Sequence, residues 1–406
     1  MKRVVVTGVG IRSPIGNSIA EMQASIVHQQ SGIRRMEDWN DVHDLRTKLG
    51  APVANFDIAS FPRKRIRGMG RVGVLALAAT DDAIADAGLS TEMLVSGRLG
   101  LAYGSTHGSS SALAQFTKTL ADTGSLRGLE GSAYLKFMSH TCAGNIAQAL
   151  QIRGRVIPTV AACVSASQGI GMGYDVVRHG QQEIMLCGGA EELHYLHAAV
   201  FDIMFATSTA DAATTPRPFD AHRDGLVVGE GAGTLVLESL DHAVARGAKI
   251  YGEIVGYGTC CDGTHITSPS VEGMANVMRL SLTDAGLQPS DINYINAHGT
   301  ATDIGDVCES TATLEVMGDQ IPFSSTKGLT GHTLGACGAI ESAICLGIFD
   351  SDLLPMNTHL DEVDPRCAPL NYIRNESLRV QSDRVMCNNF AFGGINTSLI
   401  FQRLDV

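Results

Sequence analysis

Several kinds of chemistry are missing from this chain. None of its apolar runs approaches the ~18 residues of a membrane span, so no transmembrane helix is expected. The start, Met1 to Gly10, enters a strand directly and is too short and glycine-rich for a signal peptide. The 10 cysteines include no C-x-x-C pair and no small-domain disulfide framework. Most lie in apolar segments, where a free thiol behaves as a small hydrophobe, and the expected compartment is a reducing cytoplasm. Positive charge is not in excess: the net charge of -12 disfavours general nucleic-acid binding. Gly8-Val-Gly10 lacks the third glycine of a dinucleotide fingerprint because position 13 is Ser, which argues against a nicotinamide site. His194 and His197 do not form H-E-x-x-H and read as helix-face residues. Neither a metal nor an organic cofactor is expected.

What is present suits an α/β enzyme. The 406 residues are 44% hydrophobic and 18% charged, with 45 glycines, enough for two domains or one fused pair. A faint internal duplication runs through them. Thr80–Leu89 ends in Ala-Gly-Leu and leads to a strand at Leu99–Thr106; Leu280–Leu287 ends likewise and leads to Tyr294–Thr300. Glycine at the left-handed cap position explains the shared ending. Val4–Gly10 has a counterpart in Glu253–Thr259, and each half closes on a glycine-interrupted strand, Gly225–Glu238 and Met386–Phe401. The expected halves are residues 1–245 and 246–406, joined by a polar helical stretch.

Cys163 carries the chemistry of the first half. It follows an apolar run, Val156–Ala162, that reads as a buried strand, and opens a small-residue stretch that continues as a helix to about His179. A cysteine on such a corner has its sulfur at a helix N-terminus, where free N–H groups and the dipole favour thiolate. Two glycine-flanked histidines lie in the second half, His298 in Asn296-Ala-His-Gly-Thr-Ala-Thr302 and His332 in Lys327-Gly-Leu-Thr-Gly-His332. One thiol and two imidazoles, meeting where the halves join, suit acyl-thioester chemistry. A thiolate exchanges with a thioester near balance. Two ring N–H groups stabilise the enolate oxygen left when a malonyl thioester loses CO₂. The backbone N–H of Cys163 and one from the Phe390–Gly394 loop are suitable oxyanion donors.

Lys327, at the end of the strand Ile321–Thr326, needs a partner if buried, and Glu341 in the following helix is the candidate. Asp306, Glu309 and Glu230 read as structural acids holding backbone near the site. Arg63, Lys64, Arg65, Arg67 and Arg71 crowd five cations into nine residues. They form either a solvated helix start or a dock for an acidic partner.

Cys163, His298-Gly-Thr-Ala-Thr302, Lys327 with Gly331-His332, and Phe392-Gly-Gly-Ile-Asn396 together resemble the β-ketoacyl-[acyl carrier protein] synthases of the thiolase superfamily. Length and spacing resemble the type I enzymes most. The resemblance covers the whole chain and implies a duplicated five-layer α/β/α/β/α fold, a homodimer, and acyl carrier protein as partner. It implies acyl transfer at Cys163, decarboxylation and condensation at His298 and His332, and support from Lys327 and Glu341. Phe392 would supply an oxyanion N–H and, with Phe390, gate the acyl pocket; Arg63, Lys64, Arg67 and Arg127 would meet the carrier.

The chain departs from the family in places. Ala391 stands where relatives carry glycine; if φ is positive there, it costs about 1 kcal/mol. Val164 and Gln168 also differ, and His107 and His140 fall in segments that line the pocket or dimer contact. These changes open the way to a specialised acyl chain such as a polyene. Two other functions compete. A degradative thiolase would need a second active-site cysteine near the C-terminus, where Cys387 reads as strand core. A non-catalytic chain-length subunit would lack the nucleophile, which this chain keeps.

Overall fold

The apolar opening run folds as β1 (Val4–Arg12), a central strand paired on both sides over Val4–Val6, all three buried. Nine further strands of the main sheet follow in the computed structural model, which describes residues 1–404. They are β2 (Leu99–Gly104), β3 (Val156–Thr159), β4 (Ile184–Glu191), β5 (Gly231–Ser239) and β6 (Gly252–Cys261). Then come β7 (Tyr294–Asn296), β8 (Pro322–Ser324), β9 (Arg384–Phe390) and β10 (Ile395–Gln402).

The first five strands stand in the order β1-β5-β4-β2-β3 and the second five in the order β6-β10-β9-β7-β8. Each strand of one set thus has its counterpart five places on. The sets meet where β1 pairs antiparallel with β6, and a short strand, Asn371–Tyr372, extends the sheet beyond β8. The matched pairs expected from the sequence, Val4–Gly10 with Glu253–Thr259 and Leu99 with Tyr294, are the pairs β1/β6 and β2/β7. Gly88 and Gly286 cap the preceding helices at φ of +63° and +68°, which explains the repeated Ala-Gly-Leu.

Helices complete five layers. On the outer side of the first set lie α1 (Arg71–Asp86) and α2 (Thr141–Leu150), sharing one core with β2, β4 and β5. Between the two sets lies α3 (Ser165–Arg178). The next helix, α4 (Tyr195–Ile203), covers the Cys163 region. On the far side α5 (Val271–Ala285) and α6 (Asp303–Met317) pack on β7, β9 and β10. The central layer is α3 with α7 (Cys337–Ser351), whose common core draws on strands of both sets. A helix pressed between two sheets has no room for side chains at the closest approaches. A Cβ at Gly171 would lie 2.1 Å from the Tyr257 ring, and one at Gly173 would lie 2.0 Å from the Cys187 sulfur. The glycines after Cys163 are therefore a packing requirement.

Three expectations need correcting. Val156–Ala162 is not a buried strand: β3 is the outer edge, with Val156, Pro158 and Val160 exposed, a place where proline's missing N–H costs nothing. Met386–Phe401 is not one interrupted strand but two antiparallel ones, β9 and β10, turning at Ala391–Gly394. Leu334–Ser351 is long and apolar enough to cross a membrane, although none was expected. It is the whole of α7 with the 3-10 turn that leads into it, apolar on all sides because it is surrounded by protein.

Candidate active site

Cys163 sits in a single 3-10 turn, Ala162–Val164, that feeds α3, so its sulfur lies at the helix N-terminus as expected. Ala162 before it has a φ of +47°, a strained setting for a non-glycine residue. His298 follows β7, and its loop is pinned by Glu309, which accepts the N–H groups of His298 and Gly299 at 2.7 Å each. Asp306 accepts from Phe219 and Ala301, and Glu230 accepts from Val53, so these acids hold backbone as expected. His332 follows a one-turn helix, Lys327–Thr330, and Gly331 at φ +63°. Its backbone is clamped to Val227 and Gly229 by bonds of 2.7 and 2.8 Å.

The three side chains converge. The Cys163 sulfur lies 3.0 Å from His332 Nε2. The two imidazoles stand edge to face, with ring centres 5.1 Å apart. The sulfur and a nitrogen from each ring all fall within 4.8 Å of one another. All three groups are buried.

Burial also decides their charge, and here the sequence expectation fails. Burial pushes the Cys163 thiol up to about 12; Lys327 and the N–H groups of Phe392 and Cys163 act in the lowering direction without overcoming it. The helix terminus therefore does not deliver a preformed thiolate. Burial, then Lys327, holds both imidazoles well below their ordinary value, so they rest neutral. The neutral His332 Nε2 is placed to take the thiol proton during attack. Iodoacetamide should accordingly alkylate Cys163 about tenfold faster per pH unit between pH 7 and 9, because the thiolate fraction below its pKa rises at that rate. Mass mapping across that range checks it, and a plateau by pH 8 would instead mean a resting thiolate.

Lys327 and Glu341 form the expected pair, fully enclosed, with Nζ on Oε1. Burial opposes the Lys327 charge, but Glu341 outweighs it and the ammonium is held above its ordinary value. Two neighbours escaped the sequence reading. Asn389 Nδ2 donates to Glu341 Oε2 at 2.6 Å, and Cys337 Sγ donates to the Cys163 carbonyl at 3.1 Å. Cys337 resembles any core cysteine in an apolar helix, and only the fold brings it beside the nucleophile. Cys387 is strand core, as expected.

A cavity of about 450 Å³ opens over this group. Cys163, both histidines, Phe201, Phe390 and Phe392 line it, and its outer part runs between Ile266–Pro269 and Thr302–Gly305. Phe392 is partly exposed and stacks on Phe201 at 5.4 Å, while Phe390 is buried against His298. In the loop, positive φ falls on Gly393 and Gly394, at +91° and +71°. Ala391 is not among the residues with positive φ, so the strain expected of it does not arise.

The basic run divides. Arg65 is held bidentately by Asp81, and Arg71 is tied to buried Glu230. Arg63, Lys64, Arg67 and Arg127 are exposed, and none forms an ion pair among the described residues. His194 caps α4 by accepting from the Leu196 N–H. His140 is exposed, and His107 is half-buried in a hydrogen-bonded group with His197.

Comparison with known proteins agrees with this geometry. The N-terminal domain of beta-ketoacyl synthase matches residues 1–243, and the C-terminal domain matches 251–361. The 3-oxoacyl-[acyl-carrier-protein] synthase 1 of Haemophilus influenzae is 35% identical, covering 100% of both chains. A crystal structure of a beta-ketoacyl synthase from Burkholderia phymatum is 48% identical, with a TM-score of 0.96 over 100% of both chains. The ishigamide ketosynthase/chain length factor is 32% identical, with a TM-score of 0.93 over the same coverage.

Proposed function

The chain belongs to the β-ketoacyl synthase family, and we propose how its own residues divide the work of a 3-oxoacyl-[acyl-carrier-protein] synthase. In the first half-reaction the Cys163 sulfur attacks the acyl thioester. His332 Nε2 takes the thiol proton and returns it to the departing carrier thiolate. The N–H groups of Cys163 and Phe392, which point at the sulfur, hold the oxyanion of the tetrahedral intermediate. In the second half-reaction a malonyl thioester loses CO₂, and the electron pair left behind delocalises onto its carbonyl oxygen. The ring of His298 faces that oxygen as a donor, joined by His332 once its neutral ring carries the proton on Nε2 instead of Nδ1, and the enolate carbon attacks the acyl group on Cys163. The C–S bond breaks, the sulfur leaves as thiolate and takes up one proton from solvent, and the chain is longer by two carbons. Lys327 and Glu341 shape the field around the histidines without touching substrate.

The observation that carries this reading is the 3.0 Å approach of the Cys163 sulfur to His332 beside a second neutral imidazole. Mixing the protein with an acyl-carrier thioester should add the acyl mass to Cys163. Subsequent malonyl-carrier should remove that mass and release CO₂. A protein that takes up no acyl group overturns the reading.

The carrier is expected at Arg63, Lys64, Arg67 and Arg127, whose free charges suit an acidic surface. Reversing Arg63, Lys64 and Arg67 to Glu should raise KM for carrier-bound substrates about tenfold or more and leave KM for small thioester mimics unchanged. Equal losses on both substrates would place the carrier elsewhere. A homodimer is supported by the open edge of β3 and by exposed Val156 on it and Val160 at its end. A reducing cytoplasm is the expected compartment, since most of the cysteines are buried in the core as small hydrophobes. A specialised acyl chain, in place of an ordinary saturated one, is the reading of the pathway favoured by the residues discussed next.

A further inference from the structure

Behind the nucleophile lies a second buried polar group that this chemistry does not use. Ser110 Oγ is 2.8 Å from His197 Nε2 and 3.1 Å from His107 Nε2, and the two nitrogens are themselves 3.1 Å apart. Glu191, fully buried, approaches His197 Nε2 with Oε1 at 4.0 Å. A knot that served packing alone would satisfy its own members. Here Glu191 Oε1 and His197 Nδ1 are buried without a protein partner.

Its position ties it to the acyl side of the site. His197 and Phe201 are four residues apart on α4, hence on one face and about one turn, or 5.4 Å, apart. Phe201 lines the cavity with Cys163. Glu191 Oε2 accepts the N–H of Gly335, next to Leu334, which packs on Cys163. Two residues beyond the nucleophile, Ser165 Oγ donates to the Ser105 carbonyl, and Ser105 in turn bonds the His107 carbonyl. The cavity stops at Phe201, so a chain attached to the sulfur reaches these imidazoles and this hydroxyl only where Phe201 turns aside.

We propose that His107, Ser110 and His197 receive the far end of the acyl chain and select chains that end in a neutral hydrogen-bonding oxygen, a hydroxyl or a carbonyl. The inference rests on the condensing reading above and adds the substrate class. Burial keeps both imidazoles below their ordinary value, so the group offers hydrogen bonds without positive charge. With both imidazoles neutral, the group offers a terminal carboxylate no charge to pair with, and burial disfavours that end. A methyl end would leave buried donors and acceptors unpaired, a penalty that a hydroxyl end avoids.

The test is loading of Cys163, read by mass, from carrier thioesters of graded chain length, each offered with a methyl, hydroxyl or carboxylate far end. At the length that reaches the cluster, the hydroxyl-ended chain should load roughly tenfold faster than the methyl-ended one, with the carboxylate slowest. Ser110→Ala and His197→Leu should each bring the hydroxyl-to-methyl ratio towards one. Methyl preference at every length, or a ratio unmoved in both variants, overturns the assignment while the condensing reading stands. Failure of every thioester to load Cys163 overturns both.

Discussion

His298→Ala is expected to load acyl groups onto Cys163 at close to the normal rate and to condense them about 10²–10³-fold more slowly. The contrast follows from geometry. His332, not His298, sits 3.0 Å from the sulfur, so proton removal during loading survives the substitution. Condensation loses one of two donors to the developing enolate oxygen, and removal of one such donor costs rate by that factor. Single-turnover mass spectrometry of the loaded enzyme, followed by a malonyl-carrier chase, separates the steps. Normal condensation by the variant would remove His298 from the chemistry, and loss of loading would give it a part in the first half-reaction.

Lys327→Ala is expected to cost about 3–5 kcal/mol of stability, the loss typical of breaking a buried ion pair from one side. Glu341 would then be left in the core with only Asn389 donating to it. A double replacement, Lys327→Met with Glu341→Leu, should recover most of that stability, since well-packed apolar residues often replace buried pairs at no net cost. It should not recover condensation, because the positive charge that helps keep His298 and His332 neutral would be gone. Thermal melting and the decarboxylation rate read the two effects independently. Recovery of both would make the pair a packing feature only.

The corner carrying Cys163 was legible because a change from apolar to small residues marks the passage from strand to helix. The histidine loops were legible from their glycines, and the repeat from paired Ala-Gly-Leu endings. Charge was not legible. The same helix terminus that favours a thiolate lies under a lid of protein, and desolvation, invisible in a one-dimensional string, outweighs it. Exposure at the edge of the sheet is hidden for a similar reason: Val156–Ala162 is apolar, yet Val156, Pro158 and Val160 lie exposed along that edge. Cys337 and Asn389 escaped because each takes its meaning from a contact made across long stretches of chain. So did the group of His107, Ser110 and His197, whose members are separated by up to 90 positions.

The thiol and both imidazoles line one cavity, and so two carriers cannot deliver into it at once. The first carrier must deliver its cargo and withdraw before the second can bring the extender in. Steady-state kinetics should therefore be of the ping-pong kind, with parallel double-reciprocal lines and inhibition by an excess of the extender that occupies the unloaded protein too early. An intermediate lasting between the two visits is what allows one small chamber to serve a two-substrate reaction.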